Sequence, residues 1–214
     1  TVWVPRPVGK GKWRKAWKRS RISKKALKFV SKVVSVGAPI ELRVAPKKAK
    51  RIYITDTEVN HLAHSLATPT DIIVPTHFID SMAGPLMKKK SKFHRIDGLH
   101  GHIHLHPHMR PSSISNPPKI MVRRLLGDGI HDSGEIQKIP DNWLDGLDLT
   151  YADENEFMGN PWDLTRKISE MDGVITQSVT LASEAVLLGV PTLLVSKAKR
   201  GFLDRLVSEG YPLF

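Results

Sequence analysis

Apolar residues in this chain gather into short runs separated by stretches with a helical repeat, and that alternation predicts its architecture. "RIYITDTE" (51–58), "DIIVPTHF" (71–78), "KIMVRRLL" (119–126), "DGVITQS" (172–178) and "PTLLVS" (191–196) each carry a compact apolar run of the kind a buried strand requires. Residues 20–36, 57–66, 162–171, 180–188 and 199–209 instead space their apolar positions as helices do. Strands alternating with helices predict an α/β fold built on Rossmann-like parallel sheets with helices on both faces. The stretch 79–118, with "MKKKSK", six histidines and "RPSSISNPP", has no clean period and reads as a crossover. No internal repeat is evident.

At 214 residues and 40% hydrophobic content the chain is long enough to bury a core. It has no run of 18 consecutive apolar residues and no charged-then-apolar leader, so the expectation is a cytoplasmic protein with neither membrane span nor export signal. The absence of cysteine removes disulfides, thiolate nucleophiles and cysteine-ligated metals together.

Charge changes this picture only once it is located. Residues 1–50 hold 16 Lys and Arg against the single acid Glu41, whereas the remaining 164 hold 17 bases and 20 acids. A nearly neutral body with a basic head argues against a nucleic-acid-binding fold as a whole and for one basic device. On a helix, Ile22, Ala26, Phe29, Val30 and Val33 share one arc, while Arg14, Lys18, Arg21, Lys25, Lys28 and Lys32 share another. Trp13 and Trp17 fall beside the cationic arc. Three readings stay open: a helix seated on an anionic membrane through Trp13, Trp17, Lys18 and Lys25, a packed surface helix, and a nucleic-acid arm.

The most informative stretch is "GVITQSVTLASEAVLLGVPTLLV" (173–195), which reads strand, elbow, helix, strand. Thr180 suits the N-cap, Glu184 projects one turn in, Gly189 can take the left-handed stop and Pro191 prevents continuation. The free N–H groups of such a helix start can receive a diphosphate. From the residues alone an ordinary strand-to-helix turn with a solvent-facing Glu184 is the favoured reading.

Weaker signals accompany it. Asp56, Thr57 and Glu58 follow an apolar strand, where parallel sheets collect ligand groups, although helix capping explains them too. Arg123 and Arg124 close a strand; a guanidinium there can clamp phosphate, and His131 with Asp132 can form a general base and its orienting carboxylate. A surface pair explains the same residues. His100, His102, His104, His106 and His108 alternate, so a strand would line them along one face, where imidazoles can hold zinc or nickel.

"YITDTEVNHLAHSLATPTDIIVPTHF", "RIDGLHGHIHLHP", "KIMVRRLLGDGIHDSGE" and "VITQSVTLASEAVLLGVPTLLV" occur in the order of four segments of a prokaryotic family, domain-of-unknown-function family 354, which the chain resembles from about residue 20 to its end. That family is similar to the GT-B group, which contains UDP-N-acetylglucosamine 2-epimerase and the lipid-linked N-acetylglucosaminyltransferase of cell-wall synthesis. The resemblance implies a ribose-binding role for Glu184; with the residue readings above, the candidates are nucleotide-binding Arg123, Ser178, Thr180, Ser183 and Glu184 and catalytic Asp56, Glu58, His131 and Asp132. It implies a UDP-sugar or similar nucleotide-sugar as substrate, with no bound cofactor or metal.

The sequence departs from the family in three places. His100, Gly101 and His104 replace the lysine, acid and tyrosine of a "GxKExxYLxP" pattern of which Leu105 and Pro107 persist, so the histidine row reads as a diverged crossover rather than a metal site. Val179 stands where close phosphate approach favours Gly or Ala. Relatives begin with about two more strand–helix units, so the expected organisation is a basic segment (1–34), a truncated remnant of the N-terminal Rossmann-like half (35–90), a His/Pro-rich crossover (91–118) and a C-terminal nucleotide-binding half (119–214). A homo-oligomer supplying the missing strands is one way to complete it. Two functions follow as expectations: a glycosyltransferase, or a UDP-sugar 2-epimerase-like enzyme, peripheral to a membrane; and a non-catalytic GT-B-derived scaffold that keeps the basic arm.

Overall fold

The computed structural model describes residues 11–105, 113–125, 137–153 and 163–214, the side chains of Lys12 and Trp13 excepted. In chain order the elements are α1 (Lys12–Ala26), β1 (Lys32–Val36), α2 (Ile40–Val44), β2 (Lys50–Ile54), α3 (His61–Leu66), β3 (Asp71–Pro75), β4 (Lys92–Ile96), α4 (Gly101–His104), β5 (Lys119–Arg123), β6 (Asp148–Tyr151), α5 (Leu164–Ser169), β7 (Gly173–Thr176), α6 (Val179–Leu187), β8 (Thr192–Leu194) and α7 (Gly201–Ser208). They form two compact units, 1–98 and 99–214, each with its own four-stranded parallel sheet. The α/β, Rossmann-like class expected from the pattern is the class observed.

In the first unit the strand order is β1-β2-β3-β4, so every connection steps the same way across the sheet. Right-handed crossovers that all step one way must all pass over one face. That face carries Val33, Tyr53, Ile72, Val74 and Phe93, and Leu42, Ala45, Ala67 and Leu86 from the connections pack on it. The opposite face carries Val34, Val36, Ile52, Ile54, Ile73 and Ile96, of which Val34, Val36 and Ile96 are more than half exposed. At its amino end Asp71 accepts from His94 at 3.0 Å and lies 3.7 Å from Lys50; these contacts, the His94 hydrogen bond first, hold its carboxyl below the usual range.

The second sheet is wound differently. Its order is β6-β5-β7-β8, so the chain leaves β5 toward one edge and, after β6, crosses back to continue through β7 toward the other. The core on one face joins Met121, Ile168, Val174, Leu181, Ala185 and Val190, bringing α5 and α6 onto the strands. Asp172 fastens the strand starts: its Oδ2 accepts from the Lys119 amide at 2.8 Å and from the Ser115 amide at 3.1 Å, which holds its carboxyl below the usual range.

Several local expectations change. Residues 32–36 are strand, not the end of a helix over 20–36, so Val33 belongs to β1 and the arc assigned to Ile22, Phe29 and Val33 does not exist as one face. β4 lies inside the stretch read as crossover, and the division between units falls at Gly98 and Leu99, within it. The first unit's four-stranded sheet runs from 32 to 96, wider than the segment 35–90. His100, His102 and His104 lie at or within a single helical turn, not on a strand, so they do not line one face; His106 and His108 lie outside the described residues.

Candidate functional site

Two places in the molecule gather the side chains singled out above. The first is the carboxyl edge of the second sheet. β5 and β7 are neighbours, with Arg123 opposite Thr176, yet the chain leaves β5 toward β6 and leaves β7 toward β8. Neighbouring strands from which the chain continues in opposite senses mark the position at which open α/β sheets bind ligands.

The elbow after β7 lines that edge. Gln177 is buried; its Oε1 accepts from the Leu125 amide at 2.7 Å and its amide donates to the Gln137 carbonyl, which ties the loop after β5 to the elbow. Ser178, not Thr180, is the N-cap of α6, accepting from the Leu181 amide at 3.3 Å. The shift follows from backbone: Ser178 is extended (φ −85, ψ 114) whereas Thr180 is already helical, and an N-cap must have non-helical dihedrals. The first intrahelical bond is Ala182 N–H to the Ser178 carbonyl at 2.9 Å, which leaves the amides of Val179 and Thr180 ahead of the helical ladder. Thr180 is exposed, and the Ser183 hydroxyl donates back to the Thr180 carbonyl at 2.9 Å. At the far end Gly189 takes φ +79, and Val190 N–H to Ala185 O with Gly189 N–H to Val186 O, both 2.9 Å, complete the left-handed stop foreseen there.

Glu184 is neither free nor fully in water. Its side chain is 22% exposed and its Oε1 accepts from His104 Nε2 at 3.2 Å, joining the histidine turn to the elbow helix across 80 residues. Arg124 is committed elsewhere: its Nε donates to Asp153 Oδ2 at 2.8 Å, its amide to Asp153 Oδ1 at 2.7 Å, and its guanidinium stacks 4.8 Å over Tyr151. Arg123, the other arginine closing β5, stands opposite Thr176. His131 and Asp132 lie outside the described residues. Among the described residues no group of three His, Cys, Asp or Glu is placed to hold a metal ion.

The candidates Asp56 and Glu58 sit in the first unit, past the end of β2. Asp56 is exposed, whereas Glu58 is fully buried and accepts from the Ile79 amide at 3.2 Å, so it ties the loop after β2 to the turn after β3. Close by, His64 is fully buried with its ring edge-on to Tyr53 at 6.1 Å, and burial lowers its pKa to about 4. Burial also raises the Tyr53 phenol to about 12. The sequence reading missed this buried histidine, the fourth residue of the Asn60-capped α3, which is buried together with Ala63.

The second place is α1. Its inward face is polar: Ser23 is buried and Arg19 Nε donates to Glu41 Oε1 at 2.6 Å, fixing α1 to α2. Outward it shows Arg14, Lys18, Arg21, Lys24 and Lys25 with Trp17, 59% exposed, carrying the Arg21 guanidinium 4.8 Å above its ring. Phe29, just past the helix, is 89% exposed. No described helix is long and apolar enough to cross a membrane.

Fold and elbow together define an α/β, Rossmann-like protein whose second sheet changes winding sense between β5 and β7. Comparison with protein-family models, curated proteins and solved structures finds no match.

Proposed function

We propose that the chain binds a nucleotide-sugar at the β5/β7 crevice and is a GT-B-like glycosyltransferase working beside an anionic membrane surface. The observation that supports this reading is the change in winding sense between the parallel neighbours β5 and β7, with Arg123 opposite Thr176 at their ends and the start of α6 just beyond. A diphosphate there meets the amides of Val179 and Thr180, the positive end of the α6 dipole and the Arg123 guanidinium, so charge released on the leaving diphosphate is stabilised without a metal. Ser178 and Ser183 fix the geometry of that helix start through the cap and the bond to the Thr180 carbonyl. Glu184, half-buried one turn along from Thr180, accepts from the ribose. His131 and Asp132, which belong to the second unit's part of the chain, are the groups in this reading that supply acid–base chemistry.

The outward face of α1 supports the membrane part. Basic residues near an anionic surface contribute about 1 kcal/mol each, and exposed Trp17 and Phe29 supply rings that suit the headgroup layer.

Calorimetric titration of the whole chain with UDP tests the reading. Binding is expected, and Glu184→Ala should weaken it by about 1.5–3 kcal/mol, the scale of a hydrogen bond to a charged group. No heat and no thermal stabilisation with any nucleotide up to millimolar concentration would sink the enzyme reading and leave a scaffold protein with a basic arm.

A further inference from the structure

The contact between His104 and Glu184 is set by two matched steps along two helices. On α6, Glu184 and Leu187 are three residues apart; on α4, Gly101 and His104 are three apart. Leu187 meets Gly101 where Glu184 meets His104, so the two elements run antiparallel with the same rise of about 4.5 Å between contacts. Gly101 permits this approach, because a Cβ at that position would stand 2.4 Å from Leu187 Cδ1 and 3.0 Å from Leu105 Cδ1. Leu105, next in the chain, packs against the core of the second sheet and anchors the turn. The His100 ring leans edge-on against His104, 5.3 Å between centroids, and restricts the imidazole from its other side.

A half-exposed histidine and carboxylate on a surface contribute little to stability. Their value here is directional. With Oε1 held by the imidazole N–H, the carboxylate is fixed in plane, and Oε2 is the acceptor left for an incoming hydroxyl.

We propose that His104 is a positioning residue for ribose recognition: it locks Glu184 so that the carboxylate accepts from the 2′-hydroxyl of a ribonucleotide and discriminates against the 2′-deoxy form. This rests on the nucleotide reading of the elbow. It gives the histidine turn a role in substrate selection in place of metal binding.

The test is calorimetric titration of the full chain with UDP and with 2′-deoxy-UDP, in the parent, His104→Ala, His104→Gln, Glu184→Gln and the double variant His104→Ala/Glu184→Gln. His104→Ala should weaken UDP about tenfold, the scale of one charge-assisted hydrogen bond, and leave 2′-deoxy-UDP unchanged. His104→Gln, which keeps an N–H donor, should recover most of the UDP affinity. In the Glu184→Gln background His104→Ala should add nothing. The proposal is overturned by equal losses for both nucleotides, by additive losses in the double variant, or by full UDP affinity in His104→Ala. A parent that binds neither nucleotide overturns the nucleotide reading and this one with it, whereas a parent that binds UDP indifferently to His104 removes the positioning role alone. His104 is 45% exposed on its side chain, so these variants should fold.

Discussion

Acid should loosen the first unit through one residue, His64. Its ring is fully buried among Tyr53 and the turns around Thr57 and Ala83, and burial, with the nearby positive groups His61 and Lys89 adding to it, lowers its pKa from 6.5 to about 4. Above pH 6.5 the imidazole is neutral whether folded or unfolded, and pH has no leverage. Below 6.5 the unfolded chain takes up a proton that the folded chain refuses, so stability falls by about 1.4 kcal/mol per pH unit until the folded histidine also titrates near 4. Across that window the loss totals about 3 kcal/mol, a large part of the stability of a small domain. The depressed carboxyls of Asp71 and Asp172 act lower, because their contribution is lost only as pH falls through values below 3.8. Hydrogen exchange of the Ile72 and Val74 amides, corrected for intrinsic rates, reads the first unit alone. Opening free energy should fall from pH 6.5 to 4.5 in the parent and stay nearly flat in His64→Leu. The same slope in both, or an imidazole that titrates near 6.5 by NMR, would refute the reasoning.

Other substitutions follow from single contacts. Ser178→Ala removes the α6 cap and should cost about 1 kcal/mol, read as faster exchange of the Leu181 amide, while Thr180→Ala should cost much less. Gly189→Ala places a side chain at φ +79 and should cost about 1–2 kcal/mol in urea unfolding. Asp172→Asn keeps size but weakens the acceptor for the Ser115 and Lys119 amides; its stability should no longer fall at acid pH as steeply as the parent's, because the depressed carboxyl is gone. Trp17→Ala should weaken sedimentation with vesicles containing anionic lipid even at low salt, and salt should release parent and variant alike as the Debye length shrinks from about 10 Å at 0.1 M to about 3 Å at 1 M. Retention by DNA with no vesicle binding would instead make α1 a nucleic-acid arm.

What the sequence made legible divides along the sheets. β2, β3, β5 and β7 are interior strands, and interior strands of parallel sheets are continuous apolar runs such as Ile72-Ile73-Val74, which stand out. The three overlooked strands, β1, β4 and β6, are all edges. There polar residues interrupt the apolar run, as in Lys92-Phe93-His94-Arg95-Ile96, and exposed positions break up each strand. β1 was further disguised by the helical spacing that runs into it from α1. At the elbow, the strand-to-helix turn and the Gly189 stop were readable because local backbone chemistry dictates them. The cap was displaced by two residues because Ser178 and Thr180 are equally good cap types and only the path of the chain selects one. The meeting of His104 with Glu184 was not readable, since it depends on how two helices pack and on a glycine whose importance appears only beside Leu187.

The one-way winding of the first sheet decides what kind of neighbour can shelter it. Any further strand–helix unit that continues the same step, beyond β4 or ahead of β1, adds its helix to the face that is already covered. Among right-handed strand–helix connections, only one that reverses step can roof Val34, Val36 and Ile96. Such a reversal at the β1 edge would also split the loops there to opposite faces, the arrangement in which open α/β sheets bind ligands, at the carboxyl end of β1 where Gly37 turns with φ +61. In this fold, solubility of the bare face and the birth of a new binding cleft are therefore a single topological event.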